Sequence, residues 1–266
     1  MFRLRHLILI NIMKTRIILI ILLLQVTIFT AQENSQTFTS SIEKTHKKDV
    51  FMIQKYLKYT IDVTFGGKKH LKGVITQEPG GGKIKIEKED GSLIIFDGRE
   101  VYSLGIKEKD MATARFDIFT WSYFLGLPYK LNDQGTIWSD FNKNKWGKEK
   151  LMTGKLTFAS GTGDAPDDWY VIYKNTETNV LEGAAYIVTF GKGKEKAEKE
   201  PHAIKYNQFK QVNSVPIATN WTFHMWSLKN GYEEQIGEAK LSNIKFIKEA
   251  EFIVPTKAKI VKALPN

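Results

Sequence analysis

Four histidines lie beyond the first thirty residues: His46, His70, His202 and His224. Zinc hydrolases place two imidazoles one helical turn apart with a Glu between them, so that both face the metal and the carboxylate faces the water. No two of these histidines have that spacing, so a metal site would need distant pairs joined by folding. A serine nucleophile of the Gly-x-Ser-x-Gly type is absent. The chain has no Cys, which removes thiol nucleophiles, thiolate metal sites and disulfides. Gly80-Gly81-Gly82-Lys83 lacks the spacing and the trailing Ser or Thr of a phosphate loop, and reads as a turn. Asp164, Asp167 and Asp168 cluster near Gly161 and Gly163, but their spacing fails the calcium-loop pattern and predicts a solvated loop. Asn220-Trp221-Thr222 is formally a sequon, placed mid-strand. The expectation is no catalytic residue, no metal and no cofactor. The enzymatic alternative is a hydrolase using His202 or His224 with the acids at 164–168, which requires those groups to share one pocket.

Charge is equally uninformative as chemistry. Lys192 to Lys199 alternates with Glu195 and Glu198, the pattern of a solvated face rather than a nucleic-acid stripe. Lys143, Lys145, Lys148 and Lys150 are interleaved with Trp138, Phe141 and Trp146. That mixture fits a membrane interface or a loop whose aromatics tuck into the core. Aromatic residues make up 12% of the chain, and many of them fall in 116–129 and 221–226. The first of these stretches, from Phe116 to Leu127, is a helix apolar on nearly every side, which either plugs a core or covers an apolar hollow.

The elements that would position these groups are mostly strands. A helix is predicted from about Ser40 to Tyr56, capped by Ser40 or Ser41 with Glu43 as a partial capping box. From Tyr59 the period becomes two: Tyr59, Ile61, Val63 and Phe65 alternate with polar residues up to the Gly66-Gly67 turn. Asp90-Gly91, Asp97-Gly98 and Asn230-Gly231 supply the positive φ angles of further hairpins. About ten to twelve antiparallel strands follow, with Leu156 to Phe158 among them and a loose basic tail from Pro255 to Asn266.

The first thirty-one residues differ from the rest. Arg3, Arg5, Lys14 and Arg16 precede an apolar run from Ile17 to Leu24, and the segment has no acid. That is a signal peptide with cleavage expected after Ala31, its core shorter than the roughly twenty residues that span a bilayer. Met13 is an alternative start. Residues 1–31 are expected to be removed and 32–266 to fold as one domain in the periplasm, held by its core alone and, having no Cys, not a lipoprotein. The leader's four Arg and Lys account for four of the formal +10 charges, so the remaining excess is modest.

One set of residues carries a family resemblance: Gly66-Gly67, Asp97-Gly98-Arg99-Glu100-Val101-Tyr102, Phe116-Asp117-Ile118-Phe119-Thr120-Trp121, Leu127-Pro128-Tyr129, Trp169 to Tyr173, Thr178-Asn179, and Val212 to Thr219 followed by Asn220-Trp221. Over roughly residues 40–247 the chain resembles an uncharacterised family of exported Gram-negative proteins whose fold is similar to the periplasmic lipoprotein carrier LolA. The resemblance implies a mainly β fold: a strongly curved antiparallel half-barrel with covering helices and a hydrophobic cavity. It also implies noncovalent carriage of a lipid or lipoprotein acyl chain. The matching positions are turns, strand ends and core aromatics, so the fold transfers better than the cargo. The expected lining is Phe116, Phe119, Trp121, Phe124, Trp221 and Phe223, with Val63, Phe65 and Ile86 on the sheet. The expected partners are a hydrophobic small molecule or lipid and outer-membrane or envelope proteins, with no nucleic acid, for a monomer. The non-enzymatic alternative is an envelope interaction module with a filled core.

Overall fold

The computed structural model describes residues 35–263. The expected leader and its cleavage point lie outside the described residues. Within them, the two-residue period of burial is plain: in β1 (Tyr56–Phe65) Leu57, Tyr59, Ile61 and Val63 are buried and the residues between them are half-buried. β2 (Lys68–Gln77), β3 (Ile84–Lys88), β4 (Leu93–Phe96) and β5 (Val101–Leu104) continue the meander through the expected Gly66-Gly67, Asp90-Gly91 and Asp97-Gly98 turns. The second half runs through β6 (Thr136–Trp146), β7 (Glu149–Phe158), β8 (Tyr170–Lys174), β9 (Leu181–Tyr186), β10 (His202–Val212), β11 (Val215–Ser227) and β12 (Gly231–Ile247), with β13 (Lys259–Ile260) last.

All thirteen strands form one antiparallel curved sheet in the order β13-β5-β4-β3-β2-β1-β12-β11-β10-β9-β8-β7-β6. β13 and β6 are its free edges, so it is an open half-barrel. Two features organise it. β1 pairs with β12, Val63 opposite Ala239 and Phe65 opposite Gly237, which sutures the two meanders at mid-sheet. A Cβ at Gly237 would lie 2.3 Å from the Phe65 ring, so the glycine makes room for the aromatic residue across from it. The link from β5 to β6 then has to travel between the two sides of the sheet, and it carries the long helix α3 (Met111–Gly126) over the inner face.

α3 is held there by Ala114, Ile118, Trp121, Phe124 and Leu125, all buried. Burying Ile118, Phe124 and Leu125 contributes about 1.5–3 kcal/mol each. Trp121 packs on Phe65 of β1 and Phe223 of β11, and Phe119 packs edge-on to Phe96 of β4 at 5.1 Å. Asp117 adds a polar anchor. Its Oδ1 accepts the Trp121 indole N–H at 2.8 Å and lies 2.8 Å from Nε2 of His70 on β2. A buried carboxylate needs such partners, and these two tie the helix to the sheet.

Four expectations are corrected. The predicted Ser40–Tyr56 helix is two helices: residues 35–45 (α1) and Lys48–Met52 (α2), broken at Lys47 in the left-handed region at φ 60°. The chain is already helical at residue 35, so Ser40 and Ser41 do not cap it, and Ser41 Oγ donates instead to the Phe38 carbonyl. Glu43 accepts from the backbone and side chain of Asn132 and from Lys48. The basic-aromatic stretch at 138–150 is not a loop but the strand pair β6–β7. A bulge at Asp140 (φ 52°) sets Trp138 and Phe141 three residues apart instead of two, which hides the alternation. Their rings meet Phe38 of α1, and Trp146 stacks on Tyr173 at 4.1 Å, so these aromatics are tucked into the protein. The tail is not loose throughout: β13 pairs with β5, and Val261 is buried. A short helix, α4 (Lys194–Ala197), lies within the charged Lys192 to Lys199 stretch.

Candidate binding cavity

α3 covers the hollow incompletely. Between it and the sheet lies a cavity of about 520 Å³, inside the range of about 300–1,000 Å³ usual for ligand sites. Phe116, Phe119, Tyr123 and Phe124 present one side of the helix to it. Opposite them stand Ile84 and Phe96 from one meander, and Phe158, Tyr170 and Tyr186 from the other, extended by Val188 and Phe190 beyond β9. The aromatic wall is continuous: Phe124 to Tyr186 at 5.0 Å, Tyr123 to Tyr170 at 5.4 Å, Phe158 to Tyr170 at 6.0 Å and Phe116 to Phe190 at 5.9 Å between ring centroids. Tyr170 and Tyr186 are register partners across β8 and β9, which puts them side by side on the inner face. Exposed Gly80 and Gly163 stand at the rim.

The nine expected lining residues divide. Phe116, Phe119 and Phe124 border the cavity. Trp221 borders only a separate crevice of about 10 Å³, too small for an organic ligand. Val63, Phe65, Ile86, Trp121 and Phe223 are not among the lining residues and pack in the core. The reason is positional. Trp121 points from α3 into the sheet, where Phe65 and Phe223 meet it. On β3 it is Ile84, two residues before Ile86 on the same face, that reaches the hollow. The aromatic helix is thus both plug and cover, by different sides.

Sequence reasoning missed Tyr123, Phe158, Tyr170, Tyr186 and Phe190. Alternation along Trp169 to Tyr173 offers a face for Tyr170, but its neighbour Tyr186 follows from register, which no local pattern supplies.

The cavity also has charges. Arg115 forks onto Asp164, Nε to Oδ2 at 3.1 Å, and its Nη1 donates to the Val261 carbonyl at 3.0 Å. Lys130 pairs with Asp133 at 2.9 Å. Among the described residues no cation forms such a pair with Asp168. Its Oδ1 accepts from the backbone and hydroxyl of Thr189 at 2.8 and 2.7 Å. Burial nonetheless pushes its pKa up to about 6, with Asp167 adding to the rise and Lys192 and the Thr189 bonds opposing it.

The histidines of the hydrolase alternative do not join its acids at the cavity. Asp164 is committed to Arg115 and one oxygen of Asp168 to Thr189, while His224 bonds the Glu233 carbonyl and Thr222. Neither His202 nor His224 borders the cavity. Among the described residues no group of three or more His, Asp or Glu could hold a metal, and no helix is long and apolar enough to cross a membrane.

A cavity under a helix on an open antiparallel sheet is the arrangement the sequence resemblance implied. The profile of a family of unknown function, DUF6503, matches residues 24–238. The chain belongs to the DUF6503 family. No curated protein matches this DUF6503 chain. Among solved structures it is similar to a LolA superfamily protein from Nitrosomonas europaea, at 12% identity and a TM-score of 0.50, covering 80% of this chain and 94% of that one. A domain named for outer-membrane lipoprotein sorting from Vibrio parahaemolyticus gives 9% identity and a TM-score of 0.46, covering 79% and 93%. A DUF1329 family protein from Desulfovibrio piger gives 10% and 0.41, covering 78% and 92%. The first of these shows that the DUF6503 chain has a LolA-like fold.

Proposed function

We propose that this protein is a noncatalytic carrier that holds one acyl chain, or a ligand of similar shape, in the envelope after export to the periplasm. The single observation behind the reading is the 520 Å³ cavity walled by aromatic and aliphatic side chains beneath α3. A filled-core interaction module would have no such space. At about 30 Å³ for a methylene-sized group, the share of one water molecule in the liquid, the hollow has room for about seventeen such groups, enough for one chain. Each methylene moved from water into it contributes about 0.8 kcal/mol, so a chain of ordinary length offsets the cost of immobilising itself.

The test is native mass spectrometry on protein purified without detergent, followed by titration with a fluorescent single-chain lipid. Bound mass or saturable uptake at one site is expected. Val188→Trp, which puts a large side chain into the space from the wall, is expected to abolish uptake while leaving the far-ultraviolet circular dichroism unchanged. Ligand-free protein that takes up no chain would end the carrier reading.

A further inference from the structure

The cavity is not uniformly oily, and the exceptions are grouped. Tyr123, Tyr170 and Tyr186 all border it, and their rings form a row, 5.4 Å from the first to the second and 6.1 Å from the second to the third. Tyr170 and Tyr186 are 7% and 6% exposed. Among the described residues none of the three hydroxyls has a hydrogen-bond partner, whereas the nearby Tyr206 hydroxyl donates to the Phe124 carbonyl at 2.7 Å. The Tyr123 hydroxyl is wholly shielded from water; those of Tyr170 and Tyr186 belong to buried side chains on the cavity wall. Burial raises the pKa of all three, so they stay protonated and remain donors. A donor cut off from water without an acceptor is costly. A purely hydrocarbon guest would impose that cost, and an oxygen acceptor would remove it.

The charges bordering the same space settle the sign of the acceptor. Arg115 and Lys130 are the cations, each already paired with Asp164 or Asp133; Asp168 is the carboxylate left over. Its Oδ1 is taken by Thr189 and its Oδ2 has no donor among the described residues. An anionic head entering beside it would meet a like charge in a partly desolvated site.

We infer that the site selects a single-chain amphiphile with an uncharged, oxygen-bearing head, an ester, amide or alcohol, seated on the Tyr170–Tyr186 pair with the Asp168 carboxylate turning away free fatty-acid anions. This rests on the carrier reading and specifies its cargo. Lipid esters and amides and small neutral alcohols share the chemistry, and binding to each distinguishes the sources.

The experiment is competition at pH 8 against a fluorescent single-chain probe, using a monoacylglycerol, an N-alkyl amide, a fatty alcohol and a fatty acid of equal chain length. The three neutral ligands are expected to bind at least about tenfold tighter than the fatty acid, whose carboxylate meets the like charge of Asp168. The double variant Tyr170→Phe/Tyr186→Phe keeps the rings and is expected to weaken the three neutral ligands about tenfold while still binding the probe. Asp168→Asn is expected to raise fatty-acid affinity alone. Equal affinities for all four ligands, tighter binding of the anion, or neutral-ligand affinities unchanged by loss of both hydroxyls would each overturn the inference and leave the carrier reading standing. Failure of every chain to displace or bind would overturn both.

Discussion

His46 makes a pH-dependent clasp between the helices and the sheet, and its strength can be worked out. The residue lies in the turn between α1 and α2, 1% exposed. Its Nε2 accepts the backbone N–H of Leu181, the first residue of β9, at 3.0 Å, so that nitrogen carries no proton. Nδ1 is turned toward the Pro216 carbonyl without a sound hydrogen bond. Burial holds the pKa down to about 4, the Pro216 carbonyl opposing the shift in part. Unfolded, the imidazole titrates near 6.5. The folded pKa is depressed, so the neutral clasp stabilises fully above pH 6.5 and its contribution is lost as pH falls through 4. Two and a half units correspond to about 3 kcal/mol.

Asp168 works the other way. Its folded pKa is raised from the ordinary 3.8 to about 6, so its stabilisation is present below pH 4 and lost as pH rises through 6. The magnitude is at most about 3 kcal/mol, less for the water that reaches it. The two contributions oppose each other over the same window, and the wild-type pH profile alone would hide both. The informative quantity is the difference in urea-unfolding free energy between the wild type and His46→Gln, measured at several pH values with Asp168 present in both. The wild-type advantage is expected to shrink by about 3 kcal/mol from pH 7 to pH 4. A constant difference across that range, or an imidazole titrating near its ordinary value in the folded protein, would refute the clasp.

Other substitutions probe the parts that shape the cavity. Asp117→Ala strands the Trp121 indole N–H and releases His70, and is expected to lower stability by about 1–3 kcal/mol in chemical denaturation; an unchanged midpoint would mean that the anchor contributes nothing. Gly183→Ala places a Cβ 2.3 Å from the Ile204 carbonyl and from the Trp146 ring, so a loss of about 1–3 kcal/mol is expected, visible as a lower thermal midpoint. Asp168→Asn is expected to raise stability at pH 8 relative to pH 4, the reverse of His46→Gln, provided the Thr189 bonds survive.

Much of the fold was legible because it is local. The Gly66-Gly67 and Asp90-Gly91 turns need positive φ, and two-residue alternation marks β1 whatever lies across from it. β6 was hidden because a bulge breaks its period, and the split helix because Lys47, a non-glycine, adopts the left-handed turn. The candidate site was legible only in part. That Phe116 to Leu127 is aromatic all round can be read directly; which side faces the hollow cannot.

By itself the chain's order of residues determined the hairpins, the lack of thiol chemistry and the concentration of aromatic rings on one helix. Only the folded arrangement decided that Phe119 and Phe124 border a space while Trp121 fills one, that Tyr170 stands beside Tyr186, and that Asp168 has no salt bridge among the described residues. The physical reason is that turns and periodicities arise between residues a few positions apart. A cavity is the space left when segments some seventy positions apart fail to interdigitate, and no short stretch of sequence contains it.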